Sequence, residues 1–147
     1  MSKLGGCNNK SVTLNVLYSI ALPTLTYAIE ALCLNKSEML SLDHPWTRAF
    51  QKLFKTFDKH VVKDCQWYNG YLDVEHYHAI KSLKFLLNLE FSPNDIVKKL
   101  FTLCAIDDIK RISLKFNCYN NGVPNDYKQS IVKNFQDNCY AVFDLWY

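Results

Sequence analysis

Apolar side chains recur every three or four residues along most of this chain, which is the spacing of one face of an α-helix. A clear example is the segment expected to begin after Asp73, whose apolar face carries Tyr77, Ile80, Leu83 and Leu87. No segment alternates apolar and polar residues around a turn dipeptide at hairpin spacing. The pattern therefore predicts an all-α protein, a single helical domain over residues 1–147 with about six or seven helices.

The first predicted helix covers the most apolar stretch, residues 12–34. Asn9 or Ser11 can cap its start, and Pro23 should kink or split it because proline lacks the N–H that an inner helical turn requires. The polar side chains of this helix fall on one narrow strip, made of Asn15, Ser19, Thr26 and Glu30. Because an ionised glutamate is costly inside a bilayer, we expect a central core helix and no membrane span.

Capping signals divide the middle of the chain into further helices. Asn35 and Glu38 have the spacing of a capping box, which predicts a short helix from residue 36. Asp43 is then expected to cap a second helix that has Pro45 in its first turn. Later in the chain Ser92, which is followed by proline, is expected to cap the next helix in the same way.

Composition limits the classes of function. Hydrophobic residues make up 49% of the chain and charged residues 21%, so a packed core is available and wholesale disorder is excluded. The net charge of +3 is too small to indicate a nucleic-acid partner by itself. The sequence contains no P-loop, dinucleotide-binding or serine-hydrolase motif. We therefore predict no catalytic residue, no cofactor and no metal site.

The six cysteines do not have the spacing of a zinc site, since no two of them form a C-x-x-C pair. The N-terminal residues lack the apolar run of a secretory signal. We therefore expect an intracellular, reducing environment, without a distinction between nucleus and cytoplasm. The thiols should be free and should act mostly as small core side chains.

Two groups of polar residues have simple structural interpretations. His76 and His78 are two positions apart, so on a helix their rings point in nearly opposite directions and cannot share a metal ion. The acidic pair at 107–108 is followed at once by Lys110 and Arg111, at the spacing of ion pairs on one helix. We expect a solvated helix face there, and not the carboxylates of a polymerase metal site.

The sharpest functional signal is a basic stripe within residues 46–63. If this segment is one helix, a single face carries Arg48, Lys52, Lys55, Lys59 and Lys63. Apolar side chains, Phe54 and Phe57 among them, would occupy the opposite face. The stripe suits a phosphate backbone because each cation near a phosphate releases a condensed counterion. An ordinary amphipathic surface helix has the same pattern, so both interpretations stay open.

Three motifs in the first part of the chain occur in a characteristic order. Residues 22–30 read Leu-Pro-Thr-Leu-Thr-Tyr-Ala-Ile-Glu, residues 48–55 read Arg-Ala-Phe-Gln-Lys-Leu-Phe-Lys, and Cys65-Gln66 precede an aromatic residue. In this order they resemble the region just after the catalytic palm in reverse transcriptases of non-LTR retrotransposons. The resemblance covers residues 3–89. It departs from the family at Ala28, where glycine is usual, and at Pro45, where the family helix tends to run unbroken.

The resemblance implies a thumb-like helical bundle over residues 3–89 that grips template–primer nucleic acid, with additional helices of unknown role in 90–147. It makes the basic stripe the candidate surface for the backbone of an RNA–DNA hybrid or duplex, without sequence specificity. The Tyr-Ala-Asp-Asp-like palm motif of these RNA-directed DNA polymerases does not precede the segment, so we expect a non-catalytic fragment.

Two other interpretations remain from the sequence. The chain could be a helical protein-interaction domain whose apolar first helix docks on a palm-bearing polymerase or on another protein. It could also be a decayed transposon reading frame without function. Affinity that falls steeply with salt indicates phosphate contacts, whereas apolar docking depends little on salt.

Overall fold

The described part of the computed structural model, residues 9–118 and 126–140, contains seven helical elements, six α-helices and one short 3-10 helix, and no strand. This confirms the prediction of an all-α fold with six or seven helices. The helices belong to two compact units. The first unit takes in the described residues up to Ala28 together with Leu34–Val74, and the second takes in Ile29–Cys33 together with the described residues from Glu75 onward.

Three helices form the first unit. Helix α1 consists of Lys10–Val16, a π-helical turn at Leu17–Ala21 and a last turn at Leu22–Leu25. Helix α2 is Lys36–Phe54, and helix α3 is Lys59–Tyr68. The unit contains the segments in which the sequence predicts a basic stripe.

Asn9 caps α1, since its side-chain oxygen accepts hydrogen bonds from the backbone N–H groups of Ser11 at 3.1 Å and Val12 at 3.4 Å. Pro23 does not split this helix. The helix widens instead into the π-helical turn at Leu17–Ala21, which ends two residues before the proline. Such a turn is one of the known ways in which a helix accommodates a position where the regular hydrogen-bond ladder is broken.

Helix α1 is less buried than the sequence led us to expect. The helical run Lys10–Ala31 is long and apolar enough to span a membrane, but core helices of soluble proteins and signal sequences share these two properties. Only 33% of its most apolar segment is buried. The leucines on its buried side are Leu14, Leu17 and Leu22. Its large exposed apolar side chains are Val12, Tyr18 and Ile20. The expectation of a central core helix is therefore wrong, because α1 buries one side only.

The capping box at the start of α2 is present as predicted. The Glu38 N–H donates to Asn35 Oδ1 at 2.9 Å, and the Asn35 N–H donates to Glu38 Oε2 at 2.8 Å. The prediction of two helices here is wrong, because α2 continues through Pro45 without a break. Pro45 and Ser41 are both exposed, so water can solvate the carbonyl group that loses its hydrogen bond.

Aromatic rings form the centre of the first unit. Phe50 is completely buried, and its ring centroid lies 5.2 Å from that of Trp46, 6.0 Å from Tyr71 and 6.1 Å from Phe54. The Trp46 indole N–H donates to the Leu72 carbonyl at 3.0 Å, which gives its one polar atom a partner. These contacts hold α2 in place from Trp46, the residue directly after Pro45, to the end of the helix at Phe54.

The second unit is built from three helices and one 3-10 turn, Ile29–Ala31. Helix α4 is Val74–Glu90, and its first residue belongs to the first unit. Helix α5 consists of Asp95–Leu100, a π-helical turn at Phe101–Ala105 and a last part at Ile106–Lys115. Helix α6 is Tyr127–Tyr140. The prediction that Ser92 caps α5 is wrong. The cap is Asn94, whose side-chain oxygen accepts a hydrogen bond from the Ile96 N–H at 2.9 Å. The Ser92 hydroxyl in turn accepts a hydrogen bond from the Asn94 N–H at 3.3 Å.

The core of the second unit joins the three helices through buried apolar side chains. Its members are Ala79, Leu83, Phe116, Cys118 and Ile131. Half-buried apolar residues from α4, α5 and α6 pack against this cluster.

Candidate nucleic-acid interface

The basic stripe does not lie on a single helix, which corrects the sequence prediction. Helix α2 ends at Phe54, and Lys55 has a left-handed backbone with φ of 54°. Helix α3 begins only at Lys59, and Asp58 caps it by accepting a hydrogen bond from the His60 N–H at 2.8 Å. The five cations are therefore distributed over two helices and the turn between them.

The geometry at the end of α2 explains this break. The Gln51 carbonyl accepts hydrogen bonds from the backbone N–H groups of both Lys55 and Thr56. This is the closing pattern in which a left-handed residue, usually glycine, ends a helix. As a result, the predicted apolar side of a continuous helix does not form. Phe57 is 84% exposed and Val61 is 42% exposed.

Four of the five predicted cations remain available to a ligand. Arg48 and Lys52 lie one turn apart on α2, Lys55 ends that helix, and Lys59 is the first residue of α3. All four side chains are exposed. Within residues 9–118 and 126–140 none of them forms a salt bridge. Their charges are therefore not neutralised by a described carboxylate.

Lys63 differs from the other four because it has an acidic neighbour. Its Nζ lies 3.9 Å from Asp73 Oδ2, and the Asp73 side chain is 9% exposed. Asp43 also belongs to this acidic region, since burial and then the nearby charge of Asp73 raise the pKa of its carboxyl. Lys63 thus balances a partly buried acidic region, and its charge is less available to a phosphate group.

A cation that the sequence analysis missed lies near the end of α2. The ammonium group of Lys10 is 5.3 Å from the centroid of the Phe54 ring, a cation–π contact. No local motif signals it, because the contact joins the first residue of α1 to the last residue of α2. We use the name basic surface for the exposed cations of this region: Lys10, Arg48, Lys52, Lys55 and Lys59.

His76 and His78 both contact other residues of the second unit, and His76 is more buried than the expected surface or half-buried position. His76 is buried in the second unit, with its ring centroid 5.2 Å from Phe116 and 5.0 Å from Phe135. Its Nε2 lies 3.2 Å from Asn134 Oδ1. Among the residues whose placement is described, no group of three or more histidine, cysteine or acidic side chains is arranged to hold a metal ion.

The acidic pair on α5 forms the predicted helix-surface contact. Arg111 Nη2 lies 2.9 Å from Asp108 Oδ1, three residues earlier on the same helix, and Asp107 is exposed. The Cys33 thiol lies 4.0 Å from Asp108 Oδ2. The arrangement is an exposed ion pair and not a cluster of carboxylates, which agrees with the solvated face that the spacing predicts.

The cysteines only partly match the expected core role. Cys118 and Cys139 are buried, Cys65 is half-buried and Cys33 is exposed, and these four are free thiols. Burial raises the pKa of Cys118, and burial together with the charge of Asp64 raises that of Cys65. Raised pKa values keep a thiol protonated and weakly nucleophilic. Cys7 and the side chain of Cys104 lie outside the described part of the chain.

Comparison of the chain with protein-family models, curated proteins and solved structures finds no match in any of the three. The resemblance to reverse transcriptases therefore rests on the sequence motifs alone.

Proposed function

We propose that this chain is a non-catalytic, thumb-like fragment of a non-LTR retrotransposon reverse transcriptase. It binds the sugar–phosphate backbone of a template–primer duplex or RNA–DNA hybrid and does not read the bases. The observation that supports this function best is a group of four exposed cations on α2, α3 and the intervening turn, none of them in a salt bridge with another described residue.

The placement of the cations favours a repeating anionic ligand. Arg48 and Lys52 are four residues apart, about 6 Å along the helix axis, on an exposed face that also contains Ser41 and Pro45. Each of these cations can approach a different phosphate and release a counterion. Because the contacts reach the backbone, binding of this kind carries no sequence information.

The proposal is tested by the salt dependence of binding to a fluorescently labelled RNA–DNA hybrid. For three to five phosphate contacts we expect a slope of about −3 to −5 in a plot of log affinity against log salt. The double variant Lys52→Glu with Lys55→Glu should weaken binding strongly and make the slope shallower by about two. The matched control is Lys98→Glu with Lys99→Glu, which changes two exposed cations of α5 by the same net charge.

Two results would contradict the proposal. One is a wild-type protein without affinity for the hybrid at low salt. The other is equal weakening by the two double variants, since that would indicate a response to net charge and not a defined surface. Unchanged melting temperatures in both double variants are the control for folding, because exposed helix charges contribute only a few tenths of a kcal/mol each.

The proposal also states that this chain alone has no polymerase activity. Nucleotidyl transfer with two metal ions needs carboxylates that converge on both ions. We expect no Mg²⁺-dependent, template-dependent nucleotide incorporation by the purified protein. Incorporation that is lost on Asp107→Asn would overturn this part of the proposal.

A second candidate function is protein binding through α1. It is favoured by three exposed apolar side chains on that helix, Val12 at 48%, Tyr18 at 46% and Ile20 at 65% exposure. The partner would be a palm-bearing polymerase or another protein. Binding of this kind should be weakened by Ile20→Asp and should change little with salt, whereas hybrid binding should show the opposite behaviour.

A further inference from the structure

Phe57 lies in the middle of the turn between α2 and α3, and 84% of its surface is exposed. Hydrogen bonds fix the residues on both sides of it. The Thr56 N–H donates to the Gln51 carbonyl at 3.2 Å, and the Asp58 N–H donates to the Thr56 hydroxyl at 3.3 Å. Asp58 in turn caps α3. The ring is therefore presented to solvent from an ordered turn, and little further ordering is needed for it to bind a ligand.

Two exposed cations flank Phe57 along the chain, and the carboxylate of Asp58, which follows Phe57 directly, is engaged in capping α3. Lys55 and Lys59 lie two residues to either side, both exposed and outside every salt bridge of the described segments. Phe91, another exposed aromatic side chain at 81%, has no cation within two residues on either side.

We infer that Phe57 stacks on an unpaired base, so that the basic surface binds nucleic acid at a position where a single strand adjoins the duplex. The inference rests on the proposed function and specifies its ligand. Every base has a π face, so stacking on an aromatic side chain tolerates any sequence. Bases inside a duplex are already stacked on their neighbours and cannot receive the ring, whereas a base in an overhang can.

The charges around Phe57 favour a nucleic acid over an apolar protein surface. An apolar partner that covered this turn together with Lys55 and Lys59 would remove two ammonium groups from water at high cost. A single strand places one base against the ring and its flanking phosphates against the two lysines. This is the combination of aromatic platform and basic groove by which proteins bind single strands without sequence preference.

The test compares two RNA–DNA hybrids, one blunt and one with a short single-stranded overhang that carries 2-aminopurine. We expect the wild-type protein to bind the overhang hybrid about tenfold more tightly. Phe57→Ala and Phe57→Leu should remove this preference and leave affinity for the blunt hybrid unchanged, whereas Phe57→Trp should keep it. The fluorescence of 2-aminopurine should respond to the wild-type protein and to Phe57→Trp only. Phe91→Ala is the matched control for loss of an exposed aromatic ring.

Each possible result is decisive. If Phe57→Leu keeps the preference and the fluorescence response, stacking is not the source of binding and the inference is wrong. If the wild-type protein binds both hybrids equally and Phe57→Ala changes neither affinity, the inference is wrong while backbone binding stands. If the wild-type protein binds neither hybrid at low salt, the proposed function fails and the inference fails with it. Tight, salt-insensitive binding of a protein at Phe57 would also overturn the inference.

Discussion

Asp43 Oδ1 accepts a hydrogen bond from the backbone N–H of Val74, 31 residues later, at 3.3 Å. Val74 begins α4, and its N–H is one of the donors that a helix cannot satisfy internally. The other carboxylate oxygen, Oδ2, accepts from the Thr47 hydroxyl at 3.0 Å. The sequence predicts that Asp43 caps the start of its own helix. In the structure Asp43 lies inside α2, and its carboxylate accepts a hydrogen bond from the first residue of α4 instead.

This carboxylate should make the stability of the first unit depend on pH. Burial, followed by the charge of Asp73, raises the pKa of Asp43 above its usual 3.8. A raised pKa means that the folded state holds the proton more tightly than the unfolded chain does. The contribution of Asp43 is therefore fully present below pH 3.8 and is lost as the pH rises through the higher folded-state pKa.

Asp43→Asn isolates this effect because asparagine can keep both contacts. Its oxygen can accept from the Val74 N–H, and its amide can donate to the Thr47 hydroxyl. We expect the variant to be as stable as wild type or more stable at pH 7, with a difference that shrinks toward pH 4, measured by urea unfolding. Asp43→Ala should cost about 1 to 2 kcal/mol, because it leaves the buried N–H without a partner. An Asn variant as unstable as the Ala variant would contradict this account.

Ala28 gives a second prediction. Its φ of 52° lies in the left-handed region, where an alanine side chain is strained and glycine is not. The reverse transcriptase pattern has glycine at this position. We expect Ala28→Gly to raise the free energy of unfolding by about 0.5 to 1 kcal/mol.

The matched control is Ala31→Gly, in the 3-10 turn that follows, where φ is not positive. There glycine should lower stability by about 0.5 to 1 kcal/mol, since it only adds freedom to the unfolded chain. Thermal melts of the two variants should therefore shift in opposite directions. A shift in the same direction would show that backbone strain at Ala28 is not what limits stability.

Local signals predicted the fold well wherever a few adjacent residues decide the outcome. The capping box of Asn35 and Glu38 and the cap by Asn9 need only short-range spacing, and both are present. The prediction of a helix break near Pro45 was wrong because adjacent residues do not decide the outcome there. The effect of this proline on the helix depends on whether its surroundings are solvated and on the packing of Trp46 and Phe50, which the sequence pattern does not give.

The amphipathic pattern predicted the exposure of four cations of the stripe but not how the basic surface is arranged. Four of the five cations of the stripe are exposed and outside salt bridges in the described segments, but the break at Lys55 has no signal, because lysine seldom adopts a left-handed backbone. The ion pair of Lys63 with Asp73 and the position of Lys10 over Phe54 both depend on tertiary contacts. Spacing within one helix cannot reveal either of them.

The aromatic centre of the first unit gives a third prediction. The amphipathic pattern makes Phe54 a core residue, but it is only half-buried, whereas Phe50 is completely buried among other rings. Phe50→Ala should therefore lower the free energy of unfolding by about 3 to 5 kcal/mol. Phe54→Ala should lower the free energy of unfolding by clearly less, and it should also remove the ring that forms the cation–π contact with Lys10. Chemical unfolding of the two variants checks the order, and a larger loss for Phe54→Ala would contradict the packing described here.

His78 gives the last prediction, which concerns the second unit. Its ring is half-buried, with Nε2 3.4 Å from the Leu32 carbonyl oxygen and 3.3 Å from the Ser82 hydroxyl. Burial lowers the pKa of this imidazole below its usual 6.5, and the charges of Lys115 and Arg111 act in the same direction. Backbone carbonyls act in the opposite direction but do not outweigh burial.

A lowered histidine pKa means that the unfolded chain binds the proton more readily than the folded state does. The stability that depends on neutral His78 is therefore fully present above pH 6.5 and is lost as the pH falls through 6.5 toward the lower folded-state pKa. His78→Gln removes the titrating group, so it should flatten the fall in stability between pH 7.5 and about 5. Urea unfolding at a series of pH values measures this, with His44→Gln as the comparison because it replaces an exposed imidazole. If His78→Gln and His44→Gln change the pH profile equally, burial of His78 does not couple folding to protonation.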